Sequence, residues 1–540
     1  MARTKRQAPR GTPAKTCAQL LVLLGCLLGS TAPTAAQEPY DILITGGRLL
    51  DGTGNPWYYA DVAIKGDLIV AVGDLGDVQA RQIIDATGLY VAPGFIDVHT
   101  HAGGGLAKPE LSEGRPLLAQ GITTIVANPD GGGPVDLAAQ RVALLEHGLG
   151  VNVALLVPHG SVREQVLGME DRAPTPAELE QMRALVRTGM EQGAYGLSSG
   201  LYYAPGSYAA TEEVIELAKV VAEYGGVYTS HIRDEADYNI GVVAAVDEVI
   251  RISREAGLPG IVTHIKALGP RVWGYSMALV QRIERAREEG IEVYADQYPY
   301  MASGTSVTGA LVPRWAQVGG REELIRRIND PRERARLRAD MLENLDRRGG
   351  AARLQFRRYA PDPSIEGRTL EEVAEARGLD PIDLAMELLE HGRPRLVSFN
   401  MNEADVETLM CQPWAMTASD GDLVPMNEGV PHPRSYGTFP RKIRLYARDK
   451  GVIDLSTAVR SMTSLPANVF GLSGRGVLGS GAIADIVVFD LDRLQDLATY
   501  ERPHQLAQGI AHVLVNGRFA IEEGEITGRL HGRVLSRRAN

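Results

Sequence analysis

From residue 40 the chain runs in short stretches where apolar and polar side chains alternate, at 40–45, 61–64, 68–72 and 82–85, parted by glycine-bearing turns. A period of two puts every second side chain on one face, so these stretches predict the strands of a small β layer. The same texture returns at 483–490 and 512–515, and the second of these runs into Asn516-Gly517, a pair suited to a tight hairpin turn. Two β pieces flanking a long middle predict one discontinuous β-sandwich, built from 37–92 and 466–540.

The middle, 93–465, follows another rhythm. Apolar runs at 94–99, 123–128, 153–157, 194–197, 227–231, 261–264, 292–297 and 415–419 alternate with helix-length amphipathic segments. The segment 175–191 shows the helix signals clearly: Thr175 as N-cap, Pro176 at the first position, Glu178 at the third and Gly193 beyond the end. Repeated βα units predict a parallel sheet with right-handed crossovers, and eight of them predict an α/β fold of the (β/α)8 barrel type. A ninth strand candidate, 395–399, must then lie outside the barrel. The Pro- and Arg-rich stretch 300–380 is expected to be an inserted lid over the active face.

The first 36 residues form a leader. Lys5, Arg6, Arg10 and Lys15 precede an apolar stretch at 20–28 that is too short to span a bilayer, and small residues at 30–36 offer cleavage after Ala36. A lipoprotein signal ending at Cys26 ranks second. Either reading predicts export, to the periplasm or beyond, with no transmembrane helix in the mature chain. Only Cys411 of the three cysteines then remains, which rules out an intramolecular disulfide; it is expected to be an ordinary buried thiol. At 540 residues more than one domain is expected. With 56 Lys and Arg against 67 Asp and Glu, the net charge of −11 argues against a nucleic-acid partner.

The chemistry gathers at the ends of the predicted barrel strands. His99 and His101 sit one residue apart after an apolar run, so in an extended strand both rings reach one metal ion. Asp130 follows the second strand, His231 ends the fifth, His264 the sixth and Asp420 the last. Any one of these alone reads as a core or turn residue. Six at the rim where barrels of this kind place their active sites point to a shared task. Zinc lowers the pKa of bound water from about 16 to about 7 and polarises a carbonyl, and a neighbouring carboxylate can shuttle the proton. Asp420 is the candidate shuttle.

These residues carry a resemblance to the amidohydrolase superfamily, in particular its D-aminoacylase (N-acyl-D-amino-acid deacylase) group. It covers essentially the whole mature chain, through the motifs at 93–101, 196–201, 230–235, 296–300 and 432–441. The resemblance implies that His231 and His264 bind a tighter zinc and that His99, His101 and Asp420 bound a second, weaker position. It further implies that Lys266, Tyr298 and Arg434 hold the substrate, with Arg434 on the amino-acid carboxylate. One departure stands out. The group usually has a metal-ligating cysteine after the second strand, where this chain offers Asp130 within Asn128-Pro129-Asp130-Gly131. Asp130 either ligates or bridges metal, or caps the following glycine turn, and one or two ions are expected accordingly. His159 and Arg163 also fall at a strand end, as pocket or structural residues.

The leading reading is therefore a zinc-dependent hydrolase acting on a small-molecule N-acyl-D-amino acid. A dipeptidase for D-amino-acid or isoaspartyl bonds is the nearest alternative. A hydantoinase- or dihydroorotase-like cyclic amidase is less favoured, because such relatives use a lysine on the fourth strand and 195–200 has none. A non-enzymatic binding protein on the same fold would be expected to have lost several of these ligands.

Overall fold

The computed structural model describes residues 39–537. The expected leader, with its expected cleavage site and Cys26, lies outside the described residues.

Both ends of the described chain build one sandwich. A four-stranded sheet orders Leu68–Gly73, Asp61–Lys65, Tyr40–Thr45 and Ala80–Asp85. In a second, seven-stranded sheet, Tyr90–Pro93 pairs antiparallel with Ile486–Phe489, which continues into Ile510–Val515 and Arg518–Glu522. Ile42, Ile44, Val62 and Ile64 of the first sheet are buried in one cluster with Ile486, Val488 and Leu514 of the second. The turn Asn516-Gly517 takes the left-handed conformation at both residues, φ 51° and 75°, as a tight hairpin requires.

Eight parallel strands form the barrel: Phe95–Asp97, Ile122–Ala127, Asn152–Leu155, Gly196–Gly200, Val227–His231, Gly260–Val262, Val293–Gln297 and Ala415–Thr417. Two hydrogen-bonded arcs make up the ring. Tyr195 N donates to Leu155 O (2.9 Å) at one junction, and Asp420 N to His99 O (2.8 Å) at the other. Alternate side chains, among them Ile96, Val98, Val126, Ala154, Ile261 and Met416, fill the interior, so the barrel is a packed core with its chemistry at the rim. The helix Pro176–Glu191 starts on a complete capping box: Glu178 N donates to Thr175 Oγ1 (3.3 Å) and Thr175 N to Glu178 Oε2 (2.7 Å).

The inserted piece is longer than expected. Ser303–Ser306, Arg395–Ser398 and Leu354–Arg358 form an antiparallel sheet with Arg395–Ser398 at its centre. Its helices, including Pro381–His391, share a separate apolar core with Phe356 and Leu396. The insertion thus runs to residue 398 rather than 380, and it contains the ninth strand. Cys411 also departs from expectation: it is exposed, at the C-terminal end of the helix Glu403–Met410. No helix among the described residues is long and apolar enough to cross a membrane.

Candidate metal centre

The C-terminal rim of the barrel brings all six strand-end residues together. His99, His101, Asp130 and Asp420 form one group of donor atoms and Asp130, His231 and His264 a second, each within 4.8 Å. Asp130 belongs to both. Its Oδ1 lies 3.4 Å from His99 Nε2, 3.5 Å from His264 Nε2 and 3.8 Å from His231 Nδ1, and its Oδ2 lies 3.4 Å from His101 Nε2. Asp420 Oδ1 lies 3.1 Å from His101 Nε2 and 3.7 Å from His99 Nε2. Donor atoms about 2.0–2.1 Å from a tetrahedral zinc stand about 3.3–3.4 Å from one another, so these spacings suit edges of a coordination shell.

The hydrogen bonding supports that fit. His99 Nε2, Asp130 Oδ1 and both ring nitrogens of His231 are buried without a hydrogen-bond partner. Buried polar atoms are rarely left unpaired, because each forfeits its hydration. Here they converge on common points that a cation would satisfy. Asp130 Oδ1 accepts no hydrogen bond from the glycine turn after it, and Gly131 N donates instead to Ser198 Oγ (3.2 Å).

The backbone is bent to aim these groups. Asp130, His264 and Asp420 all have positive φ (55°, 36° and 48°). Such conformations cost L-residues roughly 1–2 kcal/mol each and persist where surrounding structure enforces them. At His264 the enforcing contact is its N–H, which donates to buried Asp296 Oδ1 (2.6 Å). Beneath the first and last strands, buried Asp97 accepts from His99 N (3.3 Å), from Ser419 N (2.9 Å) and from the Ser419 hydroxyl. One carboxylate thereby ties the His99 strand to the Asp420 turn. Burial pushes Asp97 up to about 7.

The electrostatics call for positive charge at the centre. Burial opposes the charged form of His101, yet the Asp130 and Asp420 carboxylates outweigh it and raise the ring to about 10. Burial and Lys266 oppose charge on His264, and Glu235 and Asp130 raise it to about 9. Asp130 and Asp420 are held well below the ordinary carboxylate range despite burial, by the imidazoles and, for Asp420, first by Arg434. Burial lowers His231 to about 4, leaving a neutral ring ready to ligate.

Beside the donors stands a wall of charge. Arg434 Nη1 lies 2.8 Å from Asp420 Oδ2, and its guanidinium lies over the Tyr298 ring, 4.7 Å from the centroid. Lys266 lies toward the same ring at 5.8 Å and pairs with Glu235. The Tyr298 hydroxyl is buried and unpaired. A cavity of about 300 Å³ is lined by His101, His231, Lys266, Tyr298 and Asp420, and the insertion roofs it with residues 303–306.

Three contributors escaped the sequence reading. Glu235 lies four residues after His231; its Oε1 is 3.0 Å from His264 Nδ1, a ring nitrogen that Lys266 Nζ also approaches at 2.7 Å, so the two groups together orient the ring with Nε2 toward the donor cluster. Its signal was the i,i+4 spacing within 230–235. Arg348 and Arg395 of the insertion line the same cavity. Neither has an acidic partner within ion-pair distance among the described residues. Buried Arg348 donates instead to Ala310 O and toward the Ser398 and Tyr202 hydroxyls. His159 and Arg163 converge on buried Glu213 and do not line the cavity, which makes them structural.

The model of the "Amidohydrolase family" matches residues 82–521. The chain is 37% identical to D-aminoacylase of Alcaligenes xylosoxydans xylosoxydans, over 93% of this chain and 99% of that protein. A solved D-aminoacylase with a binuclear metal center, described as activated by one metal and attenuated by the second, superposes with TM-score 0.79 at 34% identity, covering 92% of this chain and all of that one. N-acyl-D-glutamate deacylase from Bordetella bronchiseptica, solved with zinc and a phosphonate mimic of the tetrahedral intermediate, gives TM-score 0.79 at 36% identity over the same shares.

Proposed function

The chain belongs to the amidohydrolase family, and from that premise we propose that it is a zinc-dependent hydrolase releasing a D-amino acid and a carboxylate from N-acyl-D-amino acids. The observation that carries this reading is the pair of donor groups sharing Asp130, set directly beside the Arg434–Tyr298–Lys266 wall. His231, His264 and Asp130 would hold one ion, and His99, His101, Asp420 and Asp130 a second. Four imidazoles with two carboxylates suit zinc. When bound, the metal makes water a competent nucleophile at neutral pH and polarises the scissile carbonyl.

The chain's own residues supply the rest. Asp420, ionised at neutral pH, accepts a proton from the attacking water and returns one to the departing nitrogen. Arg434 is placed to pair a substrate carboxylate, since a guanidinium grips a carboxylate through two parallel hydrogen bonds. It also pairs with Asp420, so a substrate carboxylate shares that cation and eases the hold on the Asp420 proton affinity. Lys266 and the Tyr298 hydroxyl complete the carboxylate site. Glu235 and Lys266 orient the His264 ring through Nδ1, leaving Nε2 toward the metal position. Arg348, a buried cation with no acidic partner within ion-pair distance among the described residues, favours an acidic side chain on the D-amino acid. The basic and apolar leader supports a place of action outside the cytoplasm.

The test is a hydrolysis panel pairing D and L forms of N-acetylated amino acids, with dihydrouracil and D-containing dipeptides alongside. Turnover of the D-acetyl compounds alone is expected. Preferred turnover of dihydrouracil or the dipeptides would replace this reading with a cyclic amidase or a dipeptidase.

A further inference from the structure

A second cavity, about 510 Å³, meets the first at His101, Pro129 and Gly132 and extends away from it under the helix Leu137–Leu145. Its walls differ in kind. Gly103, Gly104, Ala107, Ala139 and Ala143 keep it wide, and Leu144 contributes apolar surface. No lysine or arginine lines it. Its polar groups are already paired: Asn128 and Gln140 exchange two hydrogen bonds of 2.8 Å, and Asp136 Oδ1 accepts from Ala139 N (3.0 Å) to cap the helix.

An amide substrate has two arms diverging from its carbonyl carbon. The arm on nitrogen carries a carboxylate; Lys266, Arg348 and Arg395 line the first cavity, and Arg434 stands over Tyr298 of its wall. The remaining arm leaves the carbonyl in the other direction, where the junction at His101 opens into a groove whose polar atoms ask for nothing. Resting on the deacylase reading, we infer that this groove holds the acyl arm, and that the substrates are N-acyl-D-amino acids whose acyl group is an alkyl chain longer than acetyl. An alkyl chain is the occupant that such a surface rewards, because each buried methylene leaves water at no cost in lost hydrogen bonds.

The test uses the full zinc-loaded protein and the N-acetyl, N-hexanoyl and N-decanoyl derivatives of one D-amino acid. Expected is a kcat/KM that climbs up to about three- to fourfold per methylene until the groove is filled. Two variants narrow the groove. A Cβ at Gly104 meets nothing within 4 Å and its backbone is not left-handed, so Gly104→Leu is accommodated and projects into open space; Ala143→Phe obstructs the helix side. Each should cut the decanoyl-to-acetyl ratio of kcat/KM by at least tenfold. In calorimetry decanoate should bind the parent protein more tightly than Gly104→Leu. A flat or falling chain-length profile in the parent, or ratios unchanged in both variants, overturns the acyl groove while leaving the deacylase reading intact. Absence of turnover across the whole series overturns both.

Discussion

Replacing Asp420 with asparagine isolates the proton shuttle from the scaffold that holds it. The side chains are isosteric, and the amide oxygen can still face Arg434, whose Nη1 sits 2.8 Å from Oδ2 of the native carboxylate. Fold and pocket should therefore survive, with a loss of stability below the roughly 3–5 kcal/mol expected when a buried ion pair loses one member outright. Metal should be retained too, since His231, His264 and Asp130 form a donor group without Asp420. The proton acceptor is gone, however. General acid–base catalysis contributes about 10²–10⁴-fold, so kcat should fall by that factor, about 3–5 kcal/mol in the barrier. The assay is steady-state hydrolysis of an N-acetyl-D-amino acid by Asp420→Asn, with zinc content and Tm measured on the same sample. A kcat within tenfold of the parent, with metal bound, refutes the role given to Asp420.

Arg434→Ala should raise KM at least tenfold for substrates with a free α-carboxylate and lower kcat as well, because Asp420 loses its partner; steady-state kinetics that leave KM unchanged would reassign the residue. Arg348→Met should depress kcat/KM for N-acetyl-D-glutamate about tenfold more than for N-acetyl-D-leucine, as a direct comparison of the two substrates will show. Zinc must displace protons from His101 and His264, raised to about 10 and 9, so apparent zinc affinity should weaken as pH falls below 9, by about tenfold per pH unit for each proton displaced. Competition titrations against a chelator at pH 7, 8 and 9 measure that slope.

The barrel could be read from sequence because most of its strands begin in apolar runs that give way to polar residues at the rim, and the helix Pro176–Glu191 announces itself through local capping chemistry. Metal-ligand candidates were legible for the same reason: His99, His231 and Asp420 all sit where a strand ends. What stayed hidden depends on pairing partners that no local pattern encodes. The Arg395–Ser398 run has the same apolar texture as a barrel strand, and only its antiparallel partners Ser303–Ser306 and Leu354–Arg358 assign it to the insertion. Arg348 sits at the end of a long, Arg-rich helix, and nothing nearby in sequence distinguishes it from its solvated neighbours; tertiary packing alone brings it to the cavity. The choice between ligand and turn cap at Asp130 was likewise out of reach, because both roles begin from one turn and differ only in where the carboxylate points. Cys411 shows the converse, an apolar residue type that caps an exposed helix end.

The central claim is that side chains from far-apart strands pool around metal to cleave an acyl–nitrogen bond. It is tested most directly by stripping the protein with a chelator and titrating zinc back while following N-acetyl-D-amino-acid hydrolysis. Activity should vanish with the metal and return as one or two equivalents bind. Full turnover by protein shown to contain no metal would contradict it.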